Sequence, residues 1–153
     1  MFELNLPAYA IKIKNGEKFK LIWDRLRRKY VALTPEEWVR QHFVNYLITK
    51  KSYPPALVAN ERQITLNSRL RRCDTIVYSR TLAPVMIAEY KSPDVRITQE
   101  VFDQIARYNI VLKVNYLVVS NGLQHYCCRM DYDNQSYQYM AEIPKYEELT
   151  NNS

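Results

Sequence analysis

Arg71-Arg72-Cys73-Asp74-Thr75-Ile76-Val77-Tyr78, followed after a short linker by Val85-Met86-Ile87-Ala88-Glu89-Tyr90-Lys91-Ser92-Pro93, is the part of the chain whose reading decides the fold. Both halves are rich in β-branched and aromatic residues, and Ser79 to Pro84 suits a turn, so they read as neighbouring strands. Side chains alternate across a strand, which puts Val85, Ile87, Glu89 and Lys91 on one side and Met86, Ala88 and Tyr90 on the other. A carboxylate and an ammonium thus emerge together shortly before Pro93 stops the ladder. Asp74 is expected to open the partner strand, and closure of the hairpin carries it toward Glu89. Two carboxylates and a lysine at converging strand ends make an oxygen-ligand site for Mg²⁺ or Mn²⁺, with the lysine placed to orient or deprotonate water beside a phosphate. The same residues also suit ordinary surface charge, and the pattern alone leaves both readings open.

Working outward, Ile97, Val101, Ile105, Tyr108 and Leu112 predict a helix over 97–112, with Gln104 on the same side as this apolar stripe. That glutamine needs a partner, either an ordinary structural bond or the water and phosphate of a nearby site. Val114 to Val119 is a strongly apolar strand, and a helical crossover from the Glu89 strand lays it parallel. The sheet is therefore mixed, and the crossover helix is expected to cover one face. Asn121-Gly122 turns the chain into strands Leu123 to Met130 and Ser136 to Met140, with His125 structural or exposed. Glu142 to Tyr146 reads as a short cover, and 150–153 as a disordered end.

On the other side, Val58 to Leu66 predicts a strand with Glu61 near its start, turned by Asn67-Ser68 into Arg69, Arg71 and Arg72. Thr34-Pro35-Glu36-Glu37 is the clearest helix start: Thr34 caps, Pro35 takes the first position, and Glu37 completes a capping box. The helix runs to about Ile48 with Val39, Phe43, Val44, Leu47 and Ile48 inward, and Glu37 lies in line with Val44 and Ile48, able to face a site at the sheet edge. Residues 1–33 read as strands at Phe2 to Leu6, Ala10 to Lys14 and Phe19 to Trp23, with an Asn15-Gly16 turn. Arg25, Arg27, Arg28 and Lys29 form a basic cluster, either a solvated loop or a contact for a phosphate backbone.

Composition sets the limits. The 153 residues suit one domain, with N-terminal strands in 1–33, a core in 34–120 and a C-terminal hairpin and tail in 121–153. Only 2 glycines exclude a Gly-rich phosphate loop, and no Walker motif is present. The net charge of +6 fits a polyanion partner. No apolar run is long enough for a bilayer, no signal peptide is legible, and an odd count of 3 cysteines suits a reducing compartment, so a cytoplasmic location without membrane attachment is expected. With His42 and His125 the only histidines, a Cys/His zinc site is not expected.

The Thr34–Gln41 segment, Glu61, Arg72-Cys73-Asp74-Thr75-Ile76-Val77, Glu89-Tyr90-Lys91, Gln104 with Tyr108, and Asn121-Gly122 together resemble the PD-(D/E)xK nuclease superfamily. The similarity is closer to the amino-terminal nuclease-like domain of type I restriction enzyme restriction subunits, over about residues 20 to 146. Cys73 stands where the superfamily name has proline. The resemblance implies an α/β, α+β-like fold: a restriction-endonuclease-like mixed central sheet flanked by helices, with added antiparallel strands at both ends. It also implies metal-dependent hydrolysis of DNA phosphodiester bonds. Asp74 and Glu89 would bind Mg²⁺ (or Mn²⁺), Lys91 would orient or activate water, Glu37 would add a further acidic ligand, and Gln104 would support lysine or phosphate. Arg69, Arg71, Arg72 and the Arg25–Lys29 cluster would position DNA. The alternative is a catalytically weak or inactive nucleic-acid-binding or assembly module of a restriction-type or DNA-processing complex. Either fits a protein partner that supplies target recognition or a motor, and a homo-oligomer is compatible with both.

Overall fold

The computed structural model describes residues 3–66 and 68–151, with backbone only for Leu66, Arg69, Tyr108, Val111, Thr150 and Asn151. A three-stranded antiparallel sheet comes first, β1 (Ile13–Asn15), β2 (Lys20–Asp24) and β3 (Lys29–Ala32). Helix α1 (Pro35–Lys50) follows, then the strands β4 (Val58–Leu66), β5 (Arg69–Tyr78) and β6 (Pro84–Tyr90). Helix α2 (Gln99–Asn109), continued by a 3₁₀ turn over Ile110–Leu112, crosses to β7 (Tyr116–Ser120). Strands β8 (His125–Asp131) and β9 (Ser136–Met140) and helix α3 (Tyr146–Asn151) complete the order.

Strands β4 to β9 form one six-stranded sheet in sequence order. All its ladders are antiparallel except β6–β7, which is parallel with Glu89 beside Val119. The mixed, helix-flanked sheet with added antiparallel strands is the architecture that the sequence resemblance implies.

Each helix takes one face. Thr34 Oγ1 accepts the Glu37 N–H at 3.0 Å and starts α1 as expected, but only half of the capping box forms, because the Glu37 carboxylate is occupied elsewhere. Val39, Phe43 and Leu47 of α1 pack on Met86, Ala88, Tyr90, Val118 and Cys127. Phe102 and Ala106 of α2 pack on the opposite face, on Ile76, Ile87, Leu117, Val119 and Cys128. Each fully buried aliphatic or aromatic side chain in these layers contributes roughly 1.5–3 kcal/mol. Both faces of the sheet are thereby covered by helices, since the Met86–Ala88–Tyr90 side of β6 is as apolar as the Ile87 side.

Other expectations shift by local chemistry. Phe2 to Leu6 does not form a strand over its described part, residues 3–6. Asn5 N–H bonds the Gly122 carbonyl at 2.8 Å and its own carbonyl meets His125 Nε2 at 3.0 Å, so this segment's backbone groups go to one turn rather than to a ladder. Gly122 has φ +86°, and a Cβ there would come within 2.6 Å of Leu4. Asp74 lies in the middle of the ten-residue β5 rather than at its start. Helix α2 begins at Gln99, where Thr98 Oγ1 accepts the Val101 N–H at 3.2 Å. Its buried residues are Phe102, Ala106 and Asn109, which leaves Val101 and Ile105 half-buried and Gln104 exposed. Leu123 lies outside β8, α3 begins where the short cover was expected to end, and Thr150 and Asn151 belong to it. Asn67, Asn152 and Ser153, and the Tyr108 side chain, lie outside the described residues.

Candidate functional site

Where β5 and β6 meet α2, a cleft of about 470 Å³ is lined by Glu36, Asp74, Glu89, Tyr90, Lys91, Gln104, Ile105 and Asn109. The β5–β6 register, Thr75 beside Ala88, sets Asp74 across from the Glu89 end of β6. Asp74 Oδ2 accepts the Tyr90 N–H at 2.8 Å, which fixes the carboxylate at the strand end. Burial pushes the Glu89 carboxyl up to about 9, with the charge of Asp74 and a hydrogen bond to it adding to the rise, while Arg40 and Lys91 act in the opposite direction. Glu89 therefore keeps its proton at neutral pH. Glu89 Oε1 and Asn109 Oδ1, both on this cleft, are buried oxygens with no hydrogen-bond partner among the described residues. Asn109 is 3 % exposed, and its amide nitrogen is already committed to the Ile105 carbonyl at 2.9 Å. Unpartnered buried acceptors are costly, and a cation or a strong donor relieves them.

Beneath this cleft runs a second polar chain, joined by ion pairs, in which the buried Arg40 Nε makes no hydrogen bond. Asp24 is 0 % exposed, and its carboxylate accepts N–H groups from Leu26 (2.8 Å), Arg27 (3.0 Å from the backbone, 2.5 Å from Nε) and the Asn60 amide (3.1 Å). Arg27 Nη2 continues to Glu37 Oε1 at 2.8 Å, and Gln41 Nε2 and Arg40 Nε reach Glu37 Oε2 at 2.9 and 3.3 Å. Arg40 then donates to Glu61 Oε1 at 2.5 Å and to the Asp74 carbonyl at 3.2 Å, and Arg72 Nε closes on Glu61 Oε2 at 2.6 Å. Glu61 takes φ 54° and interrupts the β4–β5 ladder at the position opposite Asp74. The N-terminal sheet, α1 and the Asp74 strand are thus joined by one alternation of acids and bases.

The expected residues divide accordingly. Asp74, Glu89, Lys91 and Gln104 share the cleft. Glu37 does not line it, because its carboxylate is held by Arg27, Gln41 and Arg40; the acidic neighbour on the cleft is the exposed Glu36. Arg27 is paired with Asp24 and Glu37 and Arg72 with Glu61, though Arg72 stays 64 % exposed. Arg25, Arg28 and Lys29 are exposed at the β2–β3 turn, Arg71 is half-buried, and the Arg69 side chain lies outside the described residues. Sequence reading missed Asn109 and Glu36; for each the only signal was a position five residues after Gln104 or one before Glu37. Among the described residues, no group of three or more His, Cys, Asp and Glu side chains is placed to hold a metal ion.

A family profile described as type I restriction enzyme R protein N terminus (HSDR_N) matches residues 35–144. The chain belongs to this family. A fragment structure assigned to an HsdR subunit of a type I restriction enzyme from Vibrio vulnificus YJ016 shares its fold, with a TM-score of 0.52 and 19 % identity over 78 % of this chain. The chain spans 25 % of the length of that HsdR fragment. No curated protein matches it. No helix among the described residues of this HSDR_N member is long and apolar enough to cross a membrane.

Proposed function

We propose that this HSDR_N chain is a nucleic-acid-binding module of a restriction-type or DNA-processing complex in the cytoplasm, and that it cuts weakly or not at all without its partner. The observation that carries this reading is the commitment of the helix carboxylate. Glu37 is neutralised by Arg27 and Arg40, so it serves to brace α1 against the N-terminal sheet rather than to complete a ligand set. Binding then rests on exposed cations such as Arg25, Arg28, Lys29 and Arg72, which contact phosphates without reading bases.

A second reading, metal-dependent hydrolysis of DNA phosphodiester bonds, is favoured by the oxygens left unpartnered on the cleft. Asp74, Glu89 and the Asn109 amide oxygen fit a hard divalent cation, whose charge would displace the Glu89 proton. Bound Mg²⁺ or Mn²⁺ would supply Lewis-acid charge at the phosphate. Lys91 follows β6 directly, held by its N–H to the Ser120 carbonyl at 2.9 Å, and its ammonium would orient water or steady the phosphate's negative charge. Exposed Gln104 would offer an amide to the same phosphate.

One paired assay separates the two. Supercoiled and linear DNA are incubated with the wild type and with an Asp74→Ala, Glu89→Ala double variant in Mg²⁺ or Mn²⁺, with binding measured against salt in parallel. Salt-sensitive binding shared by both proteins, without cleavage, supports the binding module. Cleavage by the wild type alone establishes the hydrolase and refutes the first reading.

A further inference from the structure

The family match begins at residue 35, and the sheet that precedes it has an unusual charge balance. Eight lysines and arginines between Lys12 and Lys29 face only Glu17 and Asp24. That is a net +6, the formal net charge of the whole chain, so the residues outside 12–29 balance to zero. Asp24 is fully buried and paired with Arg27, which leaves seven exposed cations against Glu17 alone. None of the seven forms an ion pair among the described residues. Like charges gathered without partners repel one another, and a polyanion removes that penalty.

Their placement is ordered. Ile22 and Asp24 of β2 point to the core, so alternation sends Leu21 and Trp23 outward. The register sets Lys14 beside Leu21 and Trp23 beside Tyr30, and the Trp23 N–H bonds the Lys12 carbonyl at 2.9 Å, which continues the row to Lys12. Lys14 Nζ stands 4.1 Å from the Tyr30 ring centroid, and that ring meets Trp23 edge-on at 5.1 Å. Lys18 and Lys20 lie at one end of β2 and Arg25, Arg28 and Lys29 at the other. Five residues of strand span about 16 Å, close to the rise of about five base pairs along one nucleic-acid strand.

We propose that the outward face of β1–β2–β3 is a docking surface for the phosphate backbone of a nucleic acid, separate from the Asp74–Glu89 cleft. The proposal rests on the reading that the chain engages nucleic acid, and adds where it does so. A backbone contact of this kind is insensitive to base sequence and strongly sensitive to salt, and it gives a chain with balanced charge elsewhere one polarised side.

The test uses the full chain and a fluorescein-labelled DNA duplex of about two helical turns, with anisotropy read across a salt series. A Lys12→Ala, Lys14→Ala, Arg25→Ala variant is compared with Lys50→Ala, Lys113→Ala, Lys145→Ala, which removes the same charge from exposed positions elsewhere. Each lost phosphate contact lowers the slope of log affinity against log salt by about 0.9, so the first variant should lose about 3 in slope and weaken at least roughly tenfold, with the second close to wild type. Lys12→Glu, Arg25→Glu gives the same answer without disturbing the Lys14–Tyr30 stack, and circular dichroism melting verifies each fold. Equal weakening of both alanine variants overturns the docking surface and leaves the nucleic-acid reading standing. A wild type that binds no duplex even at low salt overturns both.

Discussion

Asp24 anchors one end of the buried polar chain. Its carboxylate, with no solvent exposure, holds the turn after β2 through the Leu26 and Arg27 N–H groups and ties that turn to β4 through Asn60. Asp24→Ala strips a buried anion from Arg27 and leaves two turn N–H groups and an amide short of acceptors. Breaking a buried ion pair from one side costs about 3–5 kcal/mol, which for a chain of this size lowers the melting temperature by roughly 6 to 20 °C. Arg27 keeps Glu37 as a partner and Asn60 keeps the Thr75 hydroxyl at 2.7 Å, so the lower part of that range is expected. The effect also depends on pH. The hydrogen bonds from Arg27 and Asn60 hold the Asp24 carboxyl below its ordinary 3.8 despite the opposing effect of burial. A carboxylate depressed on folding gives a contribution that is complete above the unfolded value and fades as pH falls through the folded one. Urea unfolding of wild type and variant at about pH 7, and at steps down to about pH 3, should therefore show a gap that narrows only at the acid end. A neutral-pH difference below about 1 kcal/mol, or a gap unchanged by acid, would refute the reasoning.

Three further outcomes can be checked with the same protein. Glu89→Gln should melt higher than wild type near pH 8 without divalent ions and level with it near pH 4.5: the raised carboxyl stabilises the fold fully below the unfolded value of 4.5 and loses that contribution as pH rises through about 9, whereas glutamine stays neutral. A variant that tracks wild type at all pH values contradicts the raised Glu89 carboxyl. Lys91→Ala should shift stability by less than about 1 kcal/mol, because the side chain is half-exposed and the strand-end bond uses only backbone, yet abolish any cleavage. Parent and mutant cutting alike would count against Lys91. Cys73, Cys127 and Cys128 are buried free thiols pushed up to about 12, burial being the first cause in each, so a thiol-labelling reagent at about pH 8 should react only after denaturant is added.

Much of the sheet could be read from residue order because its signals are local. The limits of β4 and β9 follow runs of alternating or aromatic residues bounded by turn formers, and Thr34-Pro35 announces α1 by capping chemistry within four residues. The parallel β6–β7 pair follows from the length of the crossover. The failures share a different cause. Glu37 lies in line with the inward residues of α1, but whether it faces the cleft depends on Arg27, ten residues away in the β2–β3 turn. Asp24 has a nearby arginine, yet its burial depends on Asn60, 36 residues on. Gln104 shares the helical spacing of Ile97 and Ile105, but α2 is rotated so that Phe102 and Ala106 meet the sheet, and the glutamine is left on the cleft rim. Rotation of a helix about its axis is set by how two surfaces fit, which periodicity constrains only loosely.

The lone parallel ladder of the large sheet also has a kinetic side. Strands β4–β5–β6 and β7–β8–β9 are each a meander of consecutive antiparallel partners, and each can zip from contacts close in sequence. Joining them requires the 25 residues of 91–115 to be threaded over the sheet before Met86 can meet Tyr116. Such non-local closure is slow because chain entropy is lost before the ladder returns any stability. Until then the Met86–Tyr90 edge, apolar but for Glu89 and later largely buried, is open to any passing chain. The refolding yield of this protein should therefore fall with concentration, and binding partners that shelter that edge during synthesis should restore it.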